Sequence, residues 1–194
     1  MRQLFLLALA LLNSLSCSSP SHQLAAPAAG DGLLFGSLSS YSTKLQLTVV
    51  YQGEAANLPS GTLVTPPINS KQPRTADSEG GTTGAVFALG LPAGNYQIID
   101  WRAVYEGSVT LGPLPGSLEP LRFTVTPNQA VYLGNLHLSS TQSHHDGLPD
   151  TRLLQLVLRQ RLQRDALRVR QRHPEFSDLV TKKPPAAYAT DGLP

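Results

Sequence analysis

The stretch at 84–101 (GAVFALGLPAGNYQIIDW) constrains the fold more than any other part of this sequence. Bulky apolar residues alternate with small or polar ones on both sides of LPAG, which predicts two strands joined by a tight turn as a hairpin. Pro92 presets the backbone angle of a turn, and Gly94 adopts positive φ without steric cost. Tyr96 begins the second strand where β-sandwiches place a tyrosine corner. We expect Pro92, Gly94 and Tyr96 to be the fold-defining turn.

Alternating patterns predict further strands on both sides of this turn, at 33–38, 44–52, 121–126 and 130–138, with a short one near 62–65. In the clearest of them we expect one face to be buried, formed by Leu45, Leu47, Val49 and Tyr51. The remainder of 53–84 is polar and Pro-rich, so we interpret it as a mobile loop. Six or seven short strands without intervening helices predict a mainly β protein, an antiparallel β-sandwich over 33–139.

Composition agrees with this class. Charged residues make up 14% of the chain against an ordinary value of about 25%, and Gly and Pro number 16 each. This balance favours a turn-rich β protein over a helical bundle. The formal net charge of +2 gives no indication of nucleic acid as a partner.

The strand after the turn carries bulky residues on both faces. Trp101 and Tyr105 lie opposite Tyr96 and Ile98 in a regular strand, so we expect either burial on both sides or a shift by a β-bulge. A second bulge is expected at Gly134. Tyr96 and Trp101 are interpreted as core residues rather than a ligand platform.

The N-terminus has the pattern of an export signal, 1–16, with an apolar run too short to span a bilayer as a mature helix. It ends at Cys17, the only cysteine, in SLSC, which resembles the lipobox of bacterial lipoproteins although Ser14 stands where that family prefers Leu. The resemblance implies that Cys17 carries lipids and that Ser18 directs the protein to the outer membrane. Residues 17–32 are interpreted as lipidated cysteine and flexible tether. The alternative is ordinary cleavage, which yields a soluble secreted protein.

Residues 33–138, with LPAGNY and FTVTPNQAVYLGNL, resemble transthyretin-like or carboxypeptidase-regulatory-like sandwiches and, less closely, fibronectin type III domains. The combination with a lipobox is similar to bacterial lipoproteins of uncharacterised families. The resemblance implies a fold and an accessory or binding role, and it transfers no catalytic residue.

The C-terminal part predicts a linker at 140–149, a basic amphipathic helix at 150–173 and a disordered tail at 174–194. Asp150 is a candidate cap, and apolar residues recur at three- and four-residue spacing, with Leu167 widening the stripe. Pro174 ends the helix near His173. The stripe is expected to pack on the sandwich, over the face of Trp101.

Seven of the chain's 15 basic side chains lie in this predicted helix: Arg152, Arg159, Arg161, Arg164, Arg168, Arg170 and Arg172. They either solvate the outer surface of the helix or also contact an anionic surface, such as lipid headgroups or an acidic partner. Nucleic acid is disfavoured because no aromatic residues are interleaved to stack on bases.

Candidate chemistry is sparse in this sequence. No serine lies in a nucleophile elbow, and no Gly-rich loop precedes a helix, so we predict no catalytic residues, no cofactor and no enzyme activity. The only polar cluster is His137, His144, His145 and Asp146, whose alternative interpretation is a metal site of a periplasmic carrier or enzyme. The sequence therefore predicts a non-catalytic, lipid-anchored envelope protein that meets another envelope protein or anionic headgroups.

Overall fold

The computed structural model describes residues 27–66, 75–77, 82–106, 109–113, 119–140 and 154–181. Their elements, in chain order, are β1 (Gly32–Ser40), β2 (Leu45–Gly53), β3 (Ser60–Val64), β4 (Thr75–Asp77), β5 (Thr82–Leu91), β6 (Gly94–Tyr105), β7 (Val109–Leu111), β8 (Leu121–Val125), β9 (Ala130–Ser140), β10 (Leu154–Arg159), α1 (Leu162–Arg172), a 3-10 helix (Pro174–Phe176) and α2 (Ser177–Thr181). The predicted mainly β class is confirmed.

The strands form two sheets. Sheet A has the order β10-β9-β1-β5-β4, and sheet B has the order β3-β2-β6-β7, with β8 also paired to β6. All pairs are antiparallel except β1 with β9, which are parallel. The fully antiparallel prediction is wrong at this pair. The chain between β1 and β9 passes through sheet B, which gives the long crossover that a parallel pair requires.

The turn at LPAG joins two sheets rather than two neighbouring strands. β5 pairs with β1 and β4 in sheet A, whereas β6 pairs with β2, β7 and β8 in sheet B, so the hairpin prediction is wrong. The connection is an arch across the sandwich. The Tyr96 hydroxyl donates to the Pro92 carbonyl at 2.9 Å, and Gly94 has φ of 158°, close to extended backbone. The tyrosine corner and the positive φ of Gly94 are confirmed.

A β-bulge in β6 explains its two bulky faces. Val50 of β2 pairs with Asp100, and the next residue pairs with Ile98, so Ile99 is the extra residue. Trp101 thereby turns to the same interior as Ile98 and is 2% exposed, whereas Ile99 is 38% exposed. The bulge interpretation is confirmed, and the expectation that a helix covers a separate Trp101 face is wrong.

The main core lies between the two sheets. Leu45, Leu47, Val49 and Tyr51 of β2 are buried in it, as predicted, and so are Tyr96 and Trp101. β3 pairs with β2 along this sheet, which confirms the short strand expected near 62–65. The interpretation of the remainder of 53–84 as a mobile loop is wrong at β4 and at the start of β5, which pair with each other in sheet A. Residues 67–74 and 78–81 of that loop lie outside the described part of the chain.

The pairing of β1 with β9 depends on a close backbone approach. A Cβ at Gly36 would clash with the carbonyl oxygen of Gly134, and Gly134 has φ of 112°. The register shifts here, with Phe35 opposite Tyr132 and Gly36 opposite Gly134. The bulge predicted at Gly134 is confirmed. Just before β9, the Asn128 amide donates to the Asp31 carbonyl at 2.8 Å, so the predicted tether ends before residue 31.

The predicted helix at 150–173 is wrong in its first half. Residues 154–159 form β10, whose leucines at 154, 156 and 158 contact the main core. Leucines at 154 and 158 fit both a helical repeat and a strand, and pairing with β9 along six residues favours the strand. The sandwich therefore extends beyond residue 139. Residues 141–153, with the predicted linker and the Asp150 cap, lie outside the described ranges.

α1 forms a third layer on the outer face of sheet A. Ala166 and Val169 pack in a second apolar cluster with residues of β1, β5 and β9, including Phe35 and Tyr132. The packing of an apolar stripe on the sandwich and the end of α1 before Pro174 are confirmed. Phe176 and Val180 belong to the same cluster, so the prediction of a disordered tail is wrong for 174–181. Residues 182–194 lie outside the described ranges.

Candidate functional site

A polar cluster lies between sheet A and α1, beside the second apolar cluster. Its side chains are Ser37, Ser39, Tyr132, Asn135, His137, Arg164 and Asp165, which we call the interlayer cluster. The outward-facing residues of β1 change from apolar to serine after Phe35, and those of β9 change from Tyr132 to amide and imidazole. Because β1 and β9 are paired, their outward-facing polar side chains lie next to each other beneath α1.

Asp165 is the centre of the interlayer cluster and is fully buried. Its Oδ2 accepts from the Ser37 hydroxyl at 2.8 Å and from the Tyr132 hydroxyl at 3.0 Å. Its Oδ1 accepts from Nε of Arg164 at 2.9 Å and from Nη2 at 2.8 Å. Four donors from three elements thus converge on one carboxyl group of α1.

The direction of the hydrogen bonds from Tyr132 and Ser37 to Asp165 follows from the N–H groups that donate to the same two hydroxyl oxygens. The Arg161 amide donates to the Tyr132 oxygen at 2.9 Å, and the Asn135 amide group donates to the Ser37 oxygen at 2.8 Å. Because amide N–H groups can only donate, both hydroxyl hydrogens are left to point at Asp165. The strands therefore present two prearranged hydroxyl donors to the carboxylate of the helix.

Burial raises the pKa of the Asp165 carboxyl above its ordinary value, because the charged form loses its hydration. The Arg164 guanidinium and the hydroxyls of Ser37 and Tyr132 oppose that rise. Burial likewise raises the pKa of Tyr96 to about 12. The Tyr96 hydroxyl is accordingly a neutral donor at the arch.

The geometry of the interlayer cluster suits attachment of the helix rather than binding of a substrate. The Ser39 hydroxyl lies 2.8 Å from Nδ1 of His137, while Asp165 bonds to Ser37 rather than to that imidazole. Serine, histidine and aspartate are therefore not aligned as a triad. The adjacent cavity is about 10 Å³, room for one water molecule.

The predicted metal ligands are only partly within the described structure. His137 is 2% exposed on β9, whereas His144, His145 and Asp146 lie outside the described ranges. Among the residues that are described, no group of three or more His, Cys, Asp or Glu side chains is arranged to hold a metal ion. The metal site stays a prediction.

The predicted arginine set is divided among several environments. Arg159 lies on β10, Arg161 immediately precedes α1, and Arg164 belongs to the interlayer cluster. Arg168, Arg170 and Arg172 lie on α1, and Arg152 falls outside the described ranges. Leu167 of α1 is 50% exposed, so its assignment to the buried stripe is wrong.

A shallow polar depression lies on sheet B, away from α1. It has a volume of about 390 Å³ and is lined by Gln52, Gly53, Glu54, Gln97 and Arg122. Arg122 and Glu54 form an exposed ion pair at 3.2 Å. Small-molecule sites are enclosed and mostly apolar, so this depression has the character of ordinary solvated surface.

The predicted signal at 1–16 and Cys17 lie outside the described residues. Within the described ranges, none of the helices combines the length and apolar character needed to cross a bilayer.

The sequence reasoning missed the interlayer cluster, although one signal for it was present. Asp165 lies between Leu162 and Val169 at the spacing of the buried helix face, where a carboxylate demands partners. The partners themselves come from β1 and β9, which are distant in the sequence.

No protein-family model matches this sequence, and no curated protein matches it. Among solved structures, a leucine-rich repeat protein from Bacteroides thetaiotaomicron is similar over 59% of this chain, with 18% sequence identity and a TM-score of 0.35. The similarity spans 14% of the length of that protein.

Proposed function

We propose that this protein is a lipid-anchored envelope lipoprotein that acts as a non-catalytic interaction or accessory module. The observation that carries the proposal is the position of α1, which forms a third layer on the outer face of sheet A and leaves Leu167 50% exposed and Arg168 and Arg170 half-buried. A layer fixed in this way presents a surface rather than encloses a substrate. The lipobox-like SLSC supplies the means of holding that surface at a membrane.

We further propose that the sandwich is of the transthyretin-like or carboxypeptidase-regulatory-like type. Two features support this: two packed sheets, and an arch at Pro92 fastened by the Tyr96 hydroxyl. The sandwich also contains the parallel pair of β1 with β9 and the pair of β10 with β9. Its role would be to present a surface at the periplasmic face of the outer membrane.

The anchor is tested by the mass of the mature N-terminus. The full chain is produced in a bacterial host with an alkyne-bearing fatty acid, and the N-terminal peptide is analysed by mass spectrometry. We expect the mature chain to begin at Cys17 with attached acyl chains, because several acyl chains give stable anchoring. Cys17→Ala should lose the label and Ser18→Ala should keep it. An unlabelled mature chain released in soluble form would refute the anchor and favour the secreted alternative.

The module role is tested by recovery of envelope partners with the intact protein and with the Asp165→Ala variant, in which attachment of α1 is weakened. A partner that requires the attached helix should be lost with Asp165→Ala and kept with Asp178→Ala, which removes an exposed carboxylate of α2. Turnover of a substrate by the purified protein would contradict the non-catalytic role.

A further inference from the structure

We propose that the outward face of α1 docks on an anionic lipid bilayer, with Leu167 entering the headgroup region and Arg168 and Arg170 contacting lipid phosphates. The inference rests on the proposed function in one respect, which is that the protein resides at a membrane. It adds the surface that meets the membrane, the lipid charge that this surface recognises and the orientation of the sandwich on the bilayer.

The first support is the arrangement of α1 around Leu167. Residues three and four positions away on a helix lie on the same side, and here these are Gln163, Arg164, Arg170 and Gln171. The guanidinium of Arg164 turns inward to Asp165 and Ser37, so Arg164 is not part of the outward face. Gln163, Leu167 and Gln171 are exposed. A leucine that is 50% exposed thus lies at the centre of a polar and basic face, on the side of α1 opposite Val169.

The second support is the charge of this face. Arg168 and Arg170 are half-buried at the borders of this face. Arg168 also lines the small cavity beside the interlayer cluster, and Nε of Arg170 donates to the Ala166 carbonyl at 3.4 Å. The only carboxylate within α1, Asp165, is fully buried toward sheet A and does not neutralise the outward face. Beyond the helix, Glu175 lies 3.2 Å from the His173 imidazole, and Asp178 is exposed on α2. The arginines are therefore concentrated on α1, and the exposed carboxylates lie after its end.

A bilayer interface matches this combination better than the other anionic partners. Lipid headgroups offer phosphates for arginine, and the region just beneath them accommodates an apolar side chain. Nucleic acid would leave Leu167 in water, and α1 has no aromatic residue to stack on bases. The long aliphatic stems of the arginines also allow the guanidinium groups to reach phosphates while the leucine lies deeper.

The test measures the environment of a single residue on vesicles. The full chain carries Cys17→Ser and Leu167→Cys, so that one thiol accepts an environment-sensitive fluorophore, and it is reconstituted with vesicles of phosphatidylcholine alone or with phosphatidylglycerol added. The matched control is Ile99→Cys, because Ile99 is 38% exposed on sheet B, away from α1. The N-terminal apolar run is present in every sample, so differences between the two labelled positions report orientation rather than anchoring.

We expect a blue shift at position 167 with phosphatidylglycerol, little shift with phosphatidylcholine, and none at position 99 with either lipid. No shift at 167, an equal shift with both lipids, or an equal shift at both positions would overturn the proposal. Acyl analysis of Cys17 is a separate readout. A lipidated protein whose position 167 remains in water would leave the proposed function standing while the docking surface fails.

A pair of charge variants tests the arginines. Arg168→Gln with Arg170→Gln should lower the ratio of docked to undocked α1 about 25-fold, since each arginine near an anionic surface contributes about fivefold. Arg102→Gln with Arg122→Gln removes the same charge from exposed positions of sheet B and should leave the ratio unchanged. Equal effects of the two pairs would show a response to net charge alone and would overturn the proposal.

Discussion

Replacing Asp165 with alanine tests whether the interlayer cluster holds α1 on the sandwich. The variant removes the acceptor of four hydrogen bonds that originate from Ser37, Tyr132 and Arg164. Both hydroxyls are almost fully buried, at 3% and 1% residue exposure, so they cannot turn to bulk water. Their amide donors remain in place and keep the hydroxyl hydrogens directed at the vacated position.

The magnitude follows from these contacts. Each buried donor left without an acceptor costs about 1–3 kcal/mol. The Arg164 side chain is 21% exposed, so part of its lost interaction is replaced by hydration. The sum is about 3–5 kcal/mol, which agrees with the cost of removing one partner of a buried ion pair. For a protein of this size, such a loss lowers Tm by about 10 °C.

The assay is urea unfolding followed by circular dichroism, together with hydrogen exchange of the α1 amides to detect local release of the helix. Asp178→Ala is the matched control because it deletes an exposed carboxylate from the neighbouring helix, and it should change stability by less than about 0.5 kcal/mol. Tyr132→Phe should cost about 1 kcal/mol in the native background and less in the Asp165→Ala background. If Asp165→Ala cost less than about 1 kcal/mol and left exchange in α1 unchanged, the cluster would not be the attachment we describe.

Two further predictions concern the strand that replaced part of the predicted helix and the ionisation of the buried carboxyl. Leu154→Ala should lower the free energy of unfolding in urea by about 2–5 kcal/mol, because Leu154 is 7% exposed in the main core. Leu167→Ala is the control and should change it little, and equal effects of the two substitutions would contradict the assignment of β10. The raised pKa of Asp165 means that the folded state binds its proton more tightly than the unfolded state, so this contribution to stability is full below the ordinary carboxyl range and is lost as pH rises through the raised pKa. Unfolding at a series of pH values should show wild type losing stability relative to the non-titrating Asp165→Asn as pH increases, and a constant difference would contradict the raised pKa.

The sequence predicts the structure correctly where neighbouring residues decide the local conformation. The alternation in β2 identified its buried face, and the spacing from Pro92 to Tyr96 identified the tyrosine corner. The expected bulges at Gly134 and in β6 also rested on neighbouring residues. Each depends on side-chain direction within a few residues, which the chain itself specifies.

The predictions are wrong where pairing with a distant segment determines which of two local conformations forms. The pattern at 154–159 is compatible with a strand and with a helix, and hydrogen bonding to β9 stabilises the strand. The two strands around LPAG are compatible with a hairpin and with an arch between sheets, and the arch forms because β5 pairs with β1. No local rule distinguishes these cases, because the deciding hydrogen bonds come from other strands.

The sequence alone determined that this chain is mainly β, which residues of β2 turn inward, where the chain bends at Pro92, and that one C-terminal helix is basic and amphipathic. The tertiary structure decided which sheet each strand joined, which face α1 covers, and that Asp165 meets Ser37 and Tyr132 across more than 30 residues of chain. The physical reason is that side-chain periodicity is a property of adjacent residues, whereas strand pairing and the satisfaction of a buried carboxyl require partners that only the folded chain brings together.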